Sequence, residues 1–437
     1  MKQSLSVFLG KATYNIGKHF TNCSAIPGKI ALNINKNVLK DIKKDKNTII
    51  FITGTNGKTS TTFYSYNSIK NYATNVVTNL SGANMLQGVI TEILKYTKKN
   101  RFEDKICVFE VDELTLPLLI KNDLVPDYVV ITNLFDDQVD RYGSKEILAK
   151  TLRESLEKTN AKLIVNFENP TLRIITDKIK NEVVYFGVEG YSKEIIVKNN
   201  LEYKYINYGD VGFFKNSQDN EFKDLRNFIL KETELGCTVV EEEIEISHKI
   251  ANKEKFDIIY NKYNYIASYS LFKTLVNDKI LKYDDKDILE FMTALDVGNG
   301  RMESFTFLNA PTKLNLVKNP VGLELSLDEY AKEKEKFDLV LGLNNTPADG
   351  TDMSWIKTVD FKKFIDNSSV DKIYITGNAY ELANNFLKEN ILENNLTNIL
   401  FIQKSNLKSV LTQKTLFLAC FSELQEMRNF IVSNKNN

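Results

Sequence analysis

The sequence predicts an α/β protein: a doubly wound parallel sheet with a β-rich insertion, followed by a second α/β block. Two observations predict it. Short β-branched-rich runs at 49–53, 106–111, 128–132, 163–166 and 183–186 alternate with connections long enough for helices. A glycine-rich turn, TGTNGKTS at 53–60, joins the first apolar run to a helix-forming segment at 59–70. In such a sheet the reactive residues belong at the carboxyl ends of the strands.

Residues 1–47 read as an N-terminal helical segment. Leu5, Phe8, Leu9, Ala12 and Ile16 are interspersed with Lys2, Lys11 and Lys18. This fits an amphipathic helix, packed on the body or touching a membrane surface, and lacks the continuous apolar core of a signal peptide. The turn at 53–60 places backbone N–H groups at a helix N-terminus, where a phosphate is favoured. Gly54, Thr55, Asn56, Gly57, Lys58, Thr59 and Ser60 are therefore candidate nucleotide-binding residues. Lys58 would reach the β/γ-phosphates and the Thr59 hydroxyl would ligate Mg²⁺. The longer phosphate-loop pattern is not strictly met, because Ile52 stands where its first glycine belongs. A plain glycine turn beside a surface lysine is the alternative, and the flanking strand and helix argue against it.

FEVDE at 109–113 follows a strand, and Glu110 is the first choice to complete the Mg²⁺ shell. TNLFDDQVDRYG at 132–143 also follows a strand; its polar density, beginning with Asn133, suits a nucleotide or second metal site. The texture changes over 195–259, where 203–208, 239–246 and 256–260 read as antiparallel strands of an insertion. A helix at 261–275 follows, opened by NKYN, whose Asn261 and Asn264 amides can both donate to and accept from adenine. In GNGRMESF at 298–305, Arg301 can hold a phosphate bidentately. The second block has strands at 313–317, 337–342, 372–376, 399–402 and 416–420. Its richest piece is LNNTPADGTDMSW at 343–355, which holds the single Trp and two aspartates, Asp349 and Asp352, three apart. A turn with Pro and Gly explains part of that segment; its strand-end placement favours function.

Composition excludes several classes. Hydrophobic residues make up 43% and charged residues 26%, and 57 basic residues balance 57 acidic ones. That balance argues against a nucleic-acid binder relying on bulk charge. Cys23, Cys107, Cys237 and Cys420 form no C-x-x-C pair, so neither a disulfide framework nor a zinc ribbon is expected. Cys107 and Cys420 sit in apolar runs and read as core residues. His19 and His248 lie outside any motif. No run of about 18 apolar residues exists, so no transmembrane helix is expected.

The ordered set TGTNGKTS, FEVDE, TNLFDDQVDRYG, NKYN, GNGRMESF, VKNP and LNNTPADGTDMSW resembles the Mur ligase family over nearly the whole chain. The phosphate loop with an internal Thr-Asn is also typical of folylpolyglutamate synthetases. GANM at 82–85, DQVDR at 137–141 and ADGTDMSW at 348–355 are most similar to the MurT branch, the ligase subunits of lipid II isoglutaminyl synthases. The resemblance implies a central ATPase domain at 48–305 and a Rossmann-like C-terminal domain at 306–437. It implies ATP and Mg²⁺, and amidation of the α-carboxylate of D-glutamate in the lipid II stem peptide to D-isoglutamine. The nitrogen would come from a GatD-type glutaminase in a heterodimer, in the cytoplasm or at the inner face of the membrane. By the same resemblance Lys58, Thr59 and Glu110 would hold Mg-ATP, Asn261 and Asn264 would lie near adenine, and Arg301 near ribose or phosphate. The ADGTDMSW segment would supply an aspartate to the glutaminase's Cys-His pair, with Asp349 the first candidate and Asp352 the second, since the motif does not separate them.

Two departures stand out. Many MurT proteins carry a four-cysteine zinc ribbon in the central domain, whereas residues 195–259 hold only Cys237, so no zinc is expected here. Gln138 stands where amino-acid-adding Mur ligases usually have a histidine; MurT-like sequences also have glutamine there, so the resemblance supports that branch and does not establish a second metal. With the phosphate loop this early, the separate UDP-binding domain of amino-acid-adding Mur ligases is not expected, and a lipid-linked substrate need not be held by one. The rival readings are a stand-alone amino-acid ligase, such as a folylpolyglutamate synthetase, and a non-catalytic glutaminase-binding scaffold. The ADGTDMSW segment argues against the first, and the intact Lys58-Thr59 pair and Glu110 against the second.

Overall fold

A computed structural model describes residues 2–20, 23–135, 143–169, 171–189, 214–215, 222–223, 225–234, 236–241, 244–298, 301–346, 349–391 and 399–435. The DQVDR segment at 137–141 and the strand expected at 203–208 lie outside the described residues. The described residues fall into two compact units, one within 1–136 and 142–295 and the other within 296–437.

The first unit opens with α1 (Lys2–Gly17), α2 (Ile26–Ile34) and α3 (Val38–Asp41). Next come β1 (Lys43–Asp45), β2 (Thr48–Thr53), α4 (Lys58–Lys70), β3 (Val76–Thr78) and α5 (Leu86–Tyr96). They are followed by β4 (Arg101–Glu103), β5 (Ile106–Glu110), α6 (Thr115–Lys121) and β6 (Tyr128–Ile131). Then follow α7 (Lys145–Leu156), β7 (Lys162–Asn166), α8 (Leu172–Thr176) and β8 (Val183–Val188). Ser144 starts α7 by accepting a hydrogen bond from the Ile147 N–H. The unit closes with β9 (Phe214–Lys215), β10 (Phe222–Lys223), β11 (Phe228–Thr233), β12 (Gly236–Glu241), β13 (Ile244–His248), α9 (Lys253–Phe256), α10 (Ile259–Asn277) and α11 (Ile288–Ala294).

Among the described residues, nine of these strands form one sheet in the order β13-β12-β11-β8-β7-β6-β2-β5-β3. It is parallel from β3 to β11 and antiparallel over β11, β12 and β13. Its central strands are apolar on both faces because helices cover both; Ile50, Phe51 and Ile52 are fully buried. The chain runs outward from β2 in both directions, with β5 on one side and β6 on the other. That reversal creates a crevice at the carboxyl end of β2.

One expected strand is corrected. Residues 256–260 are not extended: α9 ends at Phe256 and α10 begins at Ile259. Asn252 caps α9 by accepting from the Lys255 N–H at 3.1 Å, and the buried Phe256 ring stacks on Tyr265 of α10. The expected run 239–246 resolves into parts of two antiparallel strands, β12 and β13.

The second unit contains β14 (Glu303–Phe307), β15 (Ala310–Leu316), α12 (Pro320–Tyr330), β16 (Phe337–Gly342), α13 (Phe361–Asn367) and β17 (Val370–Thr376). It continues with α14 (Tyr380–Ile391), β18 (Ile399–Phe401), α15 (Leu407–Val410), β19 (Thr415–Ala419) and α16 (Leu424–Ser433). Among the described residues its six-stranded sheet runs β14-β15-β19-β16-β17-β18, parallel except for β14 against β15. Asn319 caps α12 and Pro320 occupies its first turn, where the missing N–H is harmless. Phe307, Leu314, Val340, Tyr374 and Phe417 lie in its core.

Candidate active site

The phosphate loop joins β2 directly to α4, as its sequence requires. Gly54 has φ +126° and Gly57 has φ +85°. A Cβ on Gly54 would stand 2.3 Å from Thr132 Oγ1 and 2.7 Å from the Asn133 carbonyl oxygen. Only glycine fits that approach. Gly57 occupies the cap position of α4 and has no side chain with which to cap it. The N–H groups of the first turn, with the positive end of the helix dipole behind them, are thus suited to an anion.

The loop's shape is held from behind. The Asn56 N–H donates to Asn133 Oδ1 at 2.8 Å, and Asn133 Nδ2 donates back to the Asn56 carbonyl at 3.0 Å. The Thr132 hydroxyl donates to the same carbonyl at 2.7 Å. The Thr55 N–H donates to the Asn133 carbonyl at 2.9 Å, and Thr55 Oγ1 accepts from the Phe135 N–H at 2.9 Å. Asn133 is fully buried. The structure therefore places its side chain on the loop backbone.

Lys58 is buried at the first position of α4. Its ammonium donates to the carbonyls of Gly54 at 2.5 Å and Thr55 at 3.2 Å, and lies 3.2 Å from Glu113 Oε1. Burial pushes the Glu113 carboxyl above the usual carboxylate range, and Lys58 opposes that shift. Thr59 is half-buried and Ser60 buried in the same turn.

Glu110 ends β5, and its Cα pairs with Ile52, the residue two before Gly54. Its backbone N–H donates to Asn79 Oδ1 at 2.8 Å, and Asn84 Nδ2 donates to its Oε1 at 2.9 Å. Among the described residues its second carboxylate oxygen, Oε2, is buried without a hydrogen-bond partner. A buried carboxylate oxygen left unpaired at the crevice is suited to a hard cation, with the Thr59 hydroxyl as a second oxygen donor. The residues present thus fit Mg²⁺.

Asn261, Tyr263 and Asn264 of NKYN are buried. Asn261 Nδ2 donates to the Lys255 carbonyl at 2.8 Å. Asn264 Oδ1 accepts from the Thr61 hydroxyl at 3.3 Å and lies under Gly57. The Tyr263 hydroxyl donates to Glu168, which also accepts from Arg226 and from the Val188 N–H. Burial pushes the Glu168 carboxyl up to about 7, against the pull of Arg226. Arg301 belongs to the second unit and is half-buried.

In the second unit the two aspartates differ sharply. Asp349 is buried; Oδ1 accepts from the Ser422 N–H at 2.9 Å, and Oδ2 accepts from the hydroxyls of Thr346 and Ser422. It ties the loop after β16 to the loop after β19. Asn344 reinforces the tie, donating to Ser422 Oγ at 2.8 Å and accepting from the Asn378 N–H at 2.7 Å. Asp352 is exposed, and its Oδ1 accepts from the Ser354 N–H at 2.8 Å, opening a short 3₁₀ turn at Ser354–Thr358.

Sequence reasoning missed Glu113 and Glu168. FEVDE did show Glu113, but its partner Lys58 is 55 residues away. Glu168 follows the strand β7 and carried no motif signal. All four cysteines are buried, as expected for Cys107 and Cys420. Among the described residues no helix is long and apolar enough to cross a membrane.

Comparison with known proteins agrees with this architecture. The Mur ligase middle domain family model matches residues 52–223, and the MurT ligase C-terminal model matches 316–422. The MurT subunit of lipid II isoglutaminyl synthase (glutamine-hydrolyzing) from Staphylococcus aureus is 29% identical over 406 residues, covering 87% of this chain and 86% of that protein. Its counterpart from Streptococcus pneumoniae is 29% identical over 387 residues, covering 84% and 82%. The fold is similar to that of MurF ligase from Thermotoga maritima in complex with ADP, with TM-score 0.61, 15% identity and coverage of 92% and 84%. It is also similar to a pseudomurein peptide ligase type C from Methanothermus fervidus, with TM-score 0.64, 18% identity and coverage of 93% and 84%. With a middle-domain match over its phosphate loop and a MurT match over the loops that Asp349 ties together, the chain belongs to the Mur ligase family, in its MurT branch.

Proposed function

We propose that the chain is the ligase subunit of a lipid II isoglutaminyl synthase. It uses ATP to amidate the α-carboxylate of D-glutamate in the lipid II stem peptide, giving D-isoglutamine. The observation that carries the reading is the phosphate loop, built and braced, with Lys58 at its helix and Glu110 beside it. A carboxylate is a poor electrophile until phosphorylated, and the acyl phosphate so formed is open to attack by ammonia. Lys58 and the first-turn N–H groups of α4 would hold the phosphates and stabilise the charge that develops during phosphoryl transfer. Glu110 Oε2 and the Thr59 hydroxyl would hold Mg²⁺, which supplies charge neutralisation of the phosphates when bound. Asn133 and Asn264 serve by fixing the loop, one from each side of Gly57.

Ammonia is a nucleophile only when unprotonated, which favours delivery from a glutaminase of the GatD type docked in a heterodimer. A cysteine nucleophile needs a base, and the base needs an orienting group. Asp352 suits that orienting role better than Asp349, because its carboxylate is exposed while that of Asp349 is consumed by Ser422 and Thr346. The lipid-linked acceptor places the reaction at the cytoplasmic face of the membrane. The test is incubation of the chain with lipid II, ATP and ammonium, followed by mass analysis of the stem peptide. Replacement of one carboxyl by a carboxamide is expected. ATP hydrolysis without it, or addition of an amino acid, overturns the reading.

A further inference from the structure

We propose that α1 and the first turn of α2 form a docking surface for an anionic lipid bilayer. Leu5, Phe8, Ala12 and Ile16 recur at intervals of three and four, so they share one stripe of α1. The opposite face, with Ser6, Val7 and Gly10, is the buried one and packs on α2 and α5. The apolar stripe therefore points outward: Phe8 is 66% exposed and Ile16 65%. Phe20, just past the helix, is 81% exposed, and Ile26 at the start of α2 is also exposed.

Charge selects the occupant. The first 40 positions hold Lys2, Lys11, Lys18, Lys29, Lys36 and Lys40 and not one acidic residue, in a chain whose net charge is +0. Five of these lysines are exposed; Lys11 instead donates to the Thr97 carbonyl at 2.7 Å. A protein interface core depletes lysine, whereas a helix lying in a lipid interface combines Phe and Leu on one face with lysine around it. The local excess of positive charge complements anionic headgroups. This surface stands on its own observations and does not depend on which reaction the chain performs.

The experiment is co-sedimentation of the full chain with vesicles of phosphatidylcholine alone, or of phosphatidylcholine with phosphatidylglycerol, at low and high salt. Retention on the anionic vesicles at low salt is expected, with loss on neutral vesicles and at high salt. The double variant Phe8→Ser/Ile16→Ser should partition roughly tenfold or more weakly, and Lys2→Gln/Lys18→Gln several-fold more weakly. Both pairs are exposed, so circular dichroism should be unchanged. Amidation of detergent-solubilised substrate should persist in both, which separates this surface from the catalytic reading. Absence of binding to anionic vesicles, or wild-type binding by Phe8→Ser/Ile16→Ser, overturns the proposal. So does the case in which that variant fails to bind the glutaminase while vesicles ignore the wild type, which would make the face a protein interface.

Discussion

Replacing Gly54 by alanine tests whether the phosphate loop is held in one shape. At φ +126° an L-residue is strained, by about 1–3 kcal/mol. The new Cβ would also lie 2.3 Å from Thr132 Oγ1 and 2.7 Å and 2.9 Å from the Asn133 backbone oxygen and nitrogen. Backbone atoms cannot swing aside, so the loop must leave its nucleotide-ready form to relieve the clash. If regaining that form costs about 3 kcal/mol, nucleotide affinity falls by roughly 150-fold. Gly57→Ala is the graded comparison. Its φ of +85° is costly, but its close neighbour is the Asn264 side chain at 2.3 Å, which can adjust. It should weaken binding less, by roughly tenfold. Titration calorimetry with ADP and Mg²⁺ measures both. Gly54→Ala within threefold of wild type, or weaker impairment than in Gly57→Ala, refutes the reasoning.

Lys58→Ala should abolish ATP-dependent amidation at saturating ATP while the far-ultraviolet dichroism stays that of the wild type; near-normal turnover would remove Lys58 from the chemistry. Asp352→Asn should leave the thermal midpoint unchanged and stop glutamine hydrolysis in the glutaminase complex, with ammonium-driven amidation intact. Asp349→Ala strands the Ser422 N–H and should lower stability by about 1–3 kcal/mol, seen in a thermal melt. Normal glutamine hydrolysis in both aspartate variants would leave the segment as an interface or turn. Glu168 gives a pH signature: its carboxyl keeps its proton up to about 7 when folded but releases it near 4.5 when unfolded. The folded state therefore binds more protons between those values, and stability falls as pH rises through that window, then levels off. Thermal melts between about pH 4.5 and about pH 7 should show that slope in the wild type and a flatter one in Glu168→Gln.

The sheet was legible where chemistry is local. Strands such as β2 and β16 are buried on both faces, so they read as unbroken apolar runs. The charged pair β1 and β4 escaped notice because its strands are short and its stability comes from each other, with Arg101 3.0 Å from Asp45 across 56 positions. Residues 256–260, FDIIY, are apolar and β-branched-rich like a strand, yet a cap at Asn252 and stacking of Phe256 on Tyr265 make the neighbourhood helical. The phosphate loop was legible for the same local reason, since its glycines, Lys58 and Thr59 are contiguous. What remained hidden depends on distant partners: Glu113 on Lys58, Glu168 on Arg226 and Tyr263, Asn133 on Asn56. The distinction between Asp349 and Asp352 needed exposure, which a motif does not contain.

The brace formed by Asp349, Asn344 and Ser422 bears on how a second protein could complete an active site here. A carboxylate that must meet a histidine on another molecule has to be placed within a fraction of an ångström, or the pair forms without effect. A freely moving loop would lose roughly 1–2 kcal/mol of backbone freedom per residue at each encounter. Anchored at its roots, this loop surrenders that freedom once, when its own chain folds. If Asp352 serves a docked glutaminase in this way, binding would not have to supply that ordering again, and the pair would meet with its geometry already set.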